Sequence, residues 1–286
     1  MASLRPSLSL RRRAALLGLP AALATYGRGG PAAARAKPWS AHDPSSPILV
    51  DNAIWRGLLD RHCRPGADGI NRFAYAAVGS EEQAALDTYL GLLAGTAVSA
   101  LSRPTQLAFW VNLHNALVVR LVLDHLPLDS IREIGVPPGG PPADGPWATR
   151  RIAVEGIGLS LGEIANDILR RVWKDPRINY VICCATLGAP NLPAMPLEPA
   201  LLDRHLDSAA SAFVNHPRGA ELTDDGRLRV SSLYEWHRAA FGGSEHAVIK
   251  HLMAYAAPPL AMQLRGRHRI DGHAYDWRLN DAPIDG

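Results

Sequence analysis

Acidic residues are absent from the first 36 residues of this 286-residue chain. Six arginines lie there instead: Arg5, Arg11, Arg12, Arg13, Arg28 and Arg35. If this segment is removed, the 30 basic residues fall to 24 against 27 acidic ones, and the net charge changes from +3 to −3. A weakly acidic protein has no net positive charge to attract nucleic acid or anionic lipid. We therefore expect no nucleic acid among the partners.

The same segment has the three parts of a secretory signal peptide. Arg11, Arg12 and Arg13 precede an apolar run over residues 14–26, and a small-residue stretch ends in Ala-Arg-Ala at 34–36. This order predicts a signal peptide over residues 1–36. The paired arginines favour the twin-arginine route. We therefore expect an exported protein, periplasmic or extracellular.

A membrane anchor is the alternative interpretation of this leader. The apolar run is shorter than the ~20 residues that cross a bilayer, and Pro20 interrupts it. We therefore expect no membrane span once the leader is cleaved.

Cysteines are few: Cys63, Cys183 and Cys184. An odd number in an exported protein leaves at least one thiol free or pairs it between chains. A bridge between the adjacent Cys183 and Cys184 would need strained geometry, whereas pairing of Cys63 with either of them stays open. The chain is therefore not a disulfide scaffold.

Metal-binding motifs are also absent from the sequence. The 11 histidines are scattered, and neither H-E-x-x-H nor C-x-x-C occurs. Glycines 156, 158 and 162 do not have dinucleotide spacing. The sequence predicts no metal and no cofactor, and it leaves the partner open as a small molecule or a protein.

Periodicity and cap signals predict a mostly helical chain with few strands. Helices are expected at residues 48–62, 80–93, 105–126, 160–173, 198–214, 232–241 and 244–256. Strands are expected at 151–155 and 178–184, in a hairpin that turns at 224–226, and within 267–277. The strands do not alternate regularly with helices, so the class is α+β. We expect a linker at 37–47, a single domain at 48–281 with a small mixed or antiparallel sheet, and a tail at 282–286.

Two asparagines lie on one face of the most apolar predicted helix. Asn112 and Asn115 are three residues apart within FWVNLHNALVV. A buried amide without partners costs about 1–3 kcal/mol, so both must be bonded. They either tie the helix to loop backbone or line a binding pocket. His114 falls on another side of the helix, where a structural role is expected.

A second cluster lies at INYVICCATLGAPNL, residues 178–192. Successive strand residues face opposite ways, so Cys183 and Cys184 cannot share one site. Cys184 enters a turn, where a side chain can meet a cleft, and a cysteine nucleophile needs a nearby base. His216 is the base we select, with His114 and His237 as alternatives. The other possibility is that a free cysteine is simply a small buried apolar residue.

Two further segments suggest a site. Asp276 and Asn280 lie in HAYDWRLND near the C-terminus, which predicts a tail docked on the body, with either a turn role or a binding role. Gly158 to Gly162 matches the G-x-S-x-G elbow of α/β-hydrolases. However, Ser160 is already explained as a helix cap together with Glu163.

Several of these segments, in this order, resemble a known family, the domain of unknown function 547. They read FWVNLHNAL, DPRINYVICCATLGAPNL, AFVNHPRG, VSSLYEWHRAAFGG and YDWRLND. The resemblance runs from about residue 48 to 281. It implies a bacterial protein that is commonly exported, and it implies no settled activity; an enzyme that uses its cysteine is one idea for the family.

The chain departs from the family pattern at polar positions. The resemblance retains Cys184 and Asp276, but a Glu, two His, a Cys and an Asp of the pattern are replaced. The replacements are Ala165, Asn166, Asn179, Ala189 and Ala240. The lost residue types are those that act as bases, orienting groups or metal ligands. Either the family activity is lost here, or the site is rebuilt with amides.

Two functional hypotheses follow. The first is an exported soluble protein that binds or scaffolds, with a degenerate family site. The alternative is a cysteine-dependent hydrolase or acyltransferase, with Cys184 as nucleophile, His216 as base, and Asn112 or Asn115 as a donor that polarises a carbonyl.

Overall fold

The structure, a computed structural model, describes residues 38–135 and 145–282. The predicted signal peptide, residues 136–144 of a Pro/Gly-rich loop and residues 283–286 of the predicted tail lie outside the described residues.

Helices make up about half of the structure. The α-helices of the described residues are α1 (Ala53–His62), α2 (Ser80–Ala94), α3 (Arg103–Leu123), α4 (Arg171–Trp173), α5 (Leu202–Val214), α6 (Leu233–Trp236), α7 (Glu245–Tyr255) and α8 (Pro258–Leu264). A π-helix, Glu163–Arg170, leads directly into α4. The predicted helical content is therefore confirmed.

Short strands form three small sheets in the described residues. The strands are β1 (Cys63–Pro65), β2 (Asn71–Phe73), β3 (Arg150–Val154), β4 (Ile157–Ser160), β5 (Ala220–Leu222), β6 (Leu228–Ser231) and β7 (Gly272–Ala274). β1 and β2 pair antiparallel, as do β3 and β4. In the third sheet β5 is antiparallel and β7 parallel to β6. The α+β class with small, partly mixed sheets is confirmed.

Helix α3 is the centre of the larger hydrophobic core. The Ser102 hydroxyl caps its first turn by accepting from the Thr105 N–H, and Pro104 occupies that turn, where no intrahelical donor is needed. By length and composition α3 could cross a membrane, but 94% of its apolar stretch is buried within the protein. Helix α2 and the π-helix pack against it, so it is a core helix.

The predicted strand over 178–184 is wrong. Residues Pro176–Tyr180 form a 3-10 helix, and an irregular segment follows it. The Asp175 carboxylate starts this helix by accepting from the Arg177 N–H at 2.8 Å, and Pro176 has the φ angle that a first turn needs. A continuous apolar run fits a buried strand and a buried irregular segment equally well.

One predicted helix start and one predicted capping box differ from the structure. The helix expected from residue 48 begins at Ala53, and Ile48 and Leu49 are exposed. The capping box expected at Ser80 and Gln83 is displaced by one residue, because the Glu82 carboxylate accepts from the Gly79 N–H at 3.2 Å.

The predicted cap at Ser160 is confirmed. The Ser160 N–H donates to Glu163 Oε2 at 2.9 Å, and the Glu163 N–H donates to Ser160 Oγ at 3.1 Å. Ser160 is 3% exposed, so this serine serves the helix start rather than a hydrolase elbow. The helix that follows is a π-helix over most of its length, a rare geometry that is frequent at functional sites.

Candidate functional site

Asn115 holds the segment that leads to the two adjacent cysteines. Its Nδ2 donates to the Val181 carbonyl at 2.8 Å, and its Oδ1 accepts from the Cys183 N–H at 2.9 Å. One side-chain amide thus supplies the two hydrogen bonds that a neighbouring strand would supply. This explains why the irregular segment can be buried without orphaned backbone groups.

Asn112 makes the same kind of pair one helical turn earlier. Its Nδ2 donates to the Leu197 carbonyl at 3.0 Å, and the Leu197 N–H donates to its Oδ1 at 2.8 Å. The interpretation that both asparagines tie α3 to loop backbone is confirmed. Neither amide oxygen points to open space, because both oxygens accept from backbone.

Cys184 lies at a strained point of the chain. The next residue, Ala185, has φ +55°, a left-handed conformation that a residue with a side chain rarely adopts. Cys184 is half-buried, whereas Cys183 and Ala185 on either side are buried. Such strain persists only where the surrounding structure enforces it, and it clusters at functional sites.

Arg170, the last residue of the π-helix, is the cation beside Cys184. Its Nε donates to Asn179 Oδ1 at 2.7 Å, and its Nη1 donates to Asn166 Oδ1 at 2.8 Å. Burial lowers the pKa of Arg170 to about 10, and the electrostatic interaction with Cys184 partly offsets that effect. No carboxylate among the described residues forms an ion pair with this guanidinium.

Two effects act in opposite directions on the pKa of the Cys184 thiol. Burial raises its pKa to about 11, and the charge of Arg170 opposes this rise. Its sulfur takes part in no hydrogen bond with the described residues. Burial also raises the pKa of Cys63 to about 11 and that of Cys183 to about 12. All three thiols are free.

Two histidines share Arg170 as a charged neighbour. Burial lowers the pKa of His237 to about 3, with a further contribution from Arg170. Burial likewise lowers the pKa of His114 to about 3. Both rings are therefore neutral near pH 7. The His237 ring forms no hydrogen bond with the described residues, so its nitrogens are available to a bound molecule.

His216, the predicted base, is engaged with backbone groups of Asp68 and Arg218. Its Nε2 is 2.8 Å from the Asp68 carbonyl, and its Nδ1 accepts from the Arg218 N–H at 3.1 Å. In the described residues no hydrogen bond joins it to Cys184. The pairing of these two residues stays a prediction, whereas His237 and His114 both share Arg170 with Cys184 as a charged neighbour.

The C-terminal segment docks onto the chain beyond Cys184, as predicted for a docked tail. Thr186 pairs with Leu279 in an antiparallel bridge, and the Thr186 and Tyr275 hydroxyl oxygens are 2.8 Å apart. The Asn280 N–H donates to the Ala185 carbonyl at 3.2 Å. The docked segment therefore fixes the strained residue next to Cys184.

Asp276 and Asn280 have different surroundings within this segment. The Asp276 carboxylate accepts from the Arg278 N–H at 3.0 Å and pairs with the Arg278 guanidinium, which is a turn arrangement. Asp276 also lines a pocket of about 340 Å³ together with Arg218 and Tyr275. Asn280 is 2% exposed, and its Oδ1 accepts from the Tyr75 hydroxyl at 2.9 Å.

Arg218 is a second buried guanidinium without a carboxylate partner in the described residues. Its Nη1 donates to the Leu187 carbonyl at 2.8 Å and its Nη2 to Asn191 Oδ1 at 2.6 Å. Burial lowers its pKa to about 10. Because both terminal nitrogens bind neighbouring loop groups, this side chain fastens the loop after Cys184.

Residues 38–135 and 145–282 contain no group of three or more His, Cys, Asp or Glu side chains arranged to hold a metal ion. The polar groups around Cys184 are amides, one guanidinium, neutral imidazoles and hydroxyls. These groups can hydrogen-bond to an oxygen-bearing ligand.

Residues 98–214 match the family model described as protein of unknown function, DUF547. This match assigns residues 98–214 of the chain to the DUF547 family. The match contains α3, the π-helix and Cys184, and it ends before His216 and the docked C-terminal segment. No curated protein and no solved structure matches the chain.

The membership gives the Arg170 contacts a specific meaning. Asn166 and Asn179, which stand where the family resemblance implies histidines, are the two residues that bind the Arg170 guanidinium. Sequence reasoning noted both replacements but missed their common partner. The available signal was the spacing of four between Asn166 and Arg170, which places both on one face of a helix.

Proposed function

We propose that this DUF547 member is an exported binding protein whose site around Cys184 and Arg170 holds a ligand without converting it. The observation that carries the proposal is the amide-bound Arg170 beside a thiol that forms no hydrogen bond with any base among the described residues. A catalytic cysteine requires a lowered pKa or a hydrogen-bonded base. The raised pKa of Cys184 supports binding over catalysis.

The unengaged polar atoms support a binding role. Three groups form no hydrogen bonds with the described residues: Arg170 Nη2, the Cys184 sulfur and the His237 ring. The nitrogen atoms among them are not fully buried. Unengaged groups that retain access can donate to or accept from a ligand. Asn115 and the docked C-terminal segment would hold these groups in place.

A turnover assay tests this proposal. We would compare the wild type and Cys184→Ala on a panel of p-nitrophenyl esters and thioesters, with Cys63→Ala as a control for the loss of a buried thiol. We expect no difference between the three proteins beyond the buffer rate. If the wild type shows a turnover that Cys184→Ala loses and Cys63→Ala retains, the binding proposal is wrong.

The second candidate is a cysteine-dependent hydrolase or acyltransferase. One observation favours it: His237 is neutral near pH 7 and shares Arg170 as a neighbour with Cys184. In that case His237 rather than His216 is the better candidate base, and the same assay would show turnover that both Cys184→Ala and His237→Gln abolish.

Export is also part of the proposal, supported by the leader sequence. Replacement of Arg12 and Arg13 by lysine should retain the full-length precursor inside the cell, because the twin-arginine route reads that pair. A matched control replaces Arg5 and Arg28 by lysine and should be exported normally. Cell fractionation followed by immunoblotting distinguishes the two outcomes, and normal export of both variants would refute the twin-arginine assignment.

A further inference from the structure

The guanidinium of Arg170 has more donors than the protein uses. A guanidinium carries five N–H donors and no acceptor. Two are engaged, one with Asn179 and one with Asn166. Nη2 donates to none of the described residues, and it is not fully buried. The end of the fork that carries Nη2 is therefore accessible and unengaged.

Within residues 38–135 and 145–282 no carboxylate forms an ion pair with this positive charge. The groups that interact electrostatically with Arg170 are Cys184, His114 and His237. The thiol is neutral because its pKa is raised, and the two imidazoles are neutral because their pKa values are lowered. By contrast, Arg177 nearby in sequence forms ion pairs with Asp175, Asp203 and Asp207.

A desolvated cation is normally found with an anion, because burial of an unpaired charge is unfavourable. The neutral amides of Asn166 and Asn179 orient the fork but bring no negative charge. An oxyanion that approaches the accessible end could accept two parallel N–H bonds, the geometry in which guanidinium groups recognise carboxylates and phosphates. The thiol and the neutral imidazole beside it can add further hydrogen bonds.

We propose that Arg170 is the anchor for an oxyanion group, a carboxylate or a phosphate, of the molecule that this site binds. The inference rests on the proposed binding function and names the chemical class of the ligand. Asn166 and Asn179 are positioning residues that hold the fork. Cys184 and His237 line the place that the oxyanion occupies.

Titration with small oxyanions tests the proposal. Acetate and inorganic phosphate would each replace chloride at constant ionic strength, while NMR follows the Nε–Hε signals of the arginine side chains. We expect a saturable shift of the Arg170 signal with at least one of the two anions, and the stronger binder identifies the class. The Arg177 signal is the internal control, since its fork is already occupied by carboxylates.

Two variants make the test specific. Arg170→Lys keeps the charge but loses the fork, so the affinity should fall about tenfold or more. Asn166→Asp is nearly isosteric at an exposed position and supplies an internal carboxylate to Arg170, so anion binding should be lost while the fold is kept. Gln263→Glu, on the exposed side of α8, adds the same charge elsewhere and should bind anions normally.

The outcomes separate this inference from the proposed function. If neither anion shifts the Arg170 signal, or if Asn166→Asp binds as tightly as the wild type, the anchor role is refuted, while the absence of turnover would still support a binding protein. If anions bind at Arg170 and Cys184 also turns over esters, the anchor role stands and the binding proposal fails.

Discussion

Arg170 Nε donates to Asn179 Oδ1 at 2.7 Å, and this hydrogen bond joins the π-helix to the 3-10 helix that leads towards Cys184. Asn179 is 1% exposed, and its Nδ2 donates in turn to the Pro176 carbonyl at 2.9 Å. One asparagine thus closes the 3-10 helix and orients the cation. The site of this DUF547 member is accordingly held by amides where the family resemblance implies imidazoles.

Replacement of Asn179 should destabilise the fold. Asn179→Ala leaves the Arg170 Nε and the Pro176 carbonyl without partners in a buried place, which costs about 1–3 kcal/mol. Chemical denaturation measures the change in the free energy of unfolding. Asn166→Ala is the matched control, because it removes an exposed amide from the same guanidinium and should cost less than about 1 kcal/mol. Equal losses in both variants would contradict this account.

Asn115 should control access to the cysteine segment. Asn115→Ala removes the partners of the Val181 carbonyl and the Cys183 N–H, so we expect a loss of roughly 2–5 kcal/mol of stability and faster alkylation of the buried Cys183. Asn112→Ala removes an equal pair of bonds from Leu197.

Asn112→Ala is therefore the control for the position of the effect. It should cost a similar free energy but leave the native-state alkylation rate of Cys183 near that of the wild type. Mass spectrometry of each labelled cysteine reads the outcome. If both variants accelerate labelling equally, Asn115 is not the specific support of this segment.

Acid should destabilise the protein through its buried histidines. The pKa of His237 is lowered by burial to about 3 in the folded state, whereas an unfolded chain has about 6.5. The unfolded state therefore binds more protons between these values, so the stabilising contribution is present above about pH 6.5 and is lost as the pH falls towards 3.

His237→Gln isolates this contribution. Between about pH 4.5 and 6.5 the slope of the unfolding free energy against pH should be smaller than in the wild type. The decrease corresponds to at most one proton in the difference between the unfolded and folded states. His114→Gln should act in the same direction, because burial lowers that pKa as well. Urea denaturation at several pH values measures both slopes. Unchanged slopes would mean that these rings are solvated in the folded state.

Local signals made much of the fold predictable. The Ser102 cap and Pro104 mark the start of α3, Ser160 and Glu163 mark the π-helix, and the turn at 224–226 marks the hairpin of β5 and β6. Each of these features is decided by residues a few positions apart. The segment at 178–184 could not be predicted in the same way, since its backbone partner, Asn115, is 66 residues away from Val181.

The site was predictable in its residue types but not in its connections. Cys184, Asn115 and the two replaced histidine positions were evident from the sequence. Their relation to Arg170 depends on how the π-helix packs against the 3-10 helix, which no local pattern encodes. The predicted base, His216, illustrates the same limit, because a histidine's approach to a thiol is a tertiary contact.

In the function we propose, Cys184 belongs to a binding site rather than to catalytic machinery. The most direct measurement is the alkylation rate of each cysteine in the folded protein between about pH 5 and 9, read by mass spectrometry. The account predicts slow labelling of Cys184 that still rises with pH at the upper limit, since burial raises its pKa to about 11. Fast labelling with an apparent pKa well below about 8.5 would reveal an activated thiolate and contradict the account.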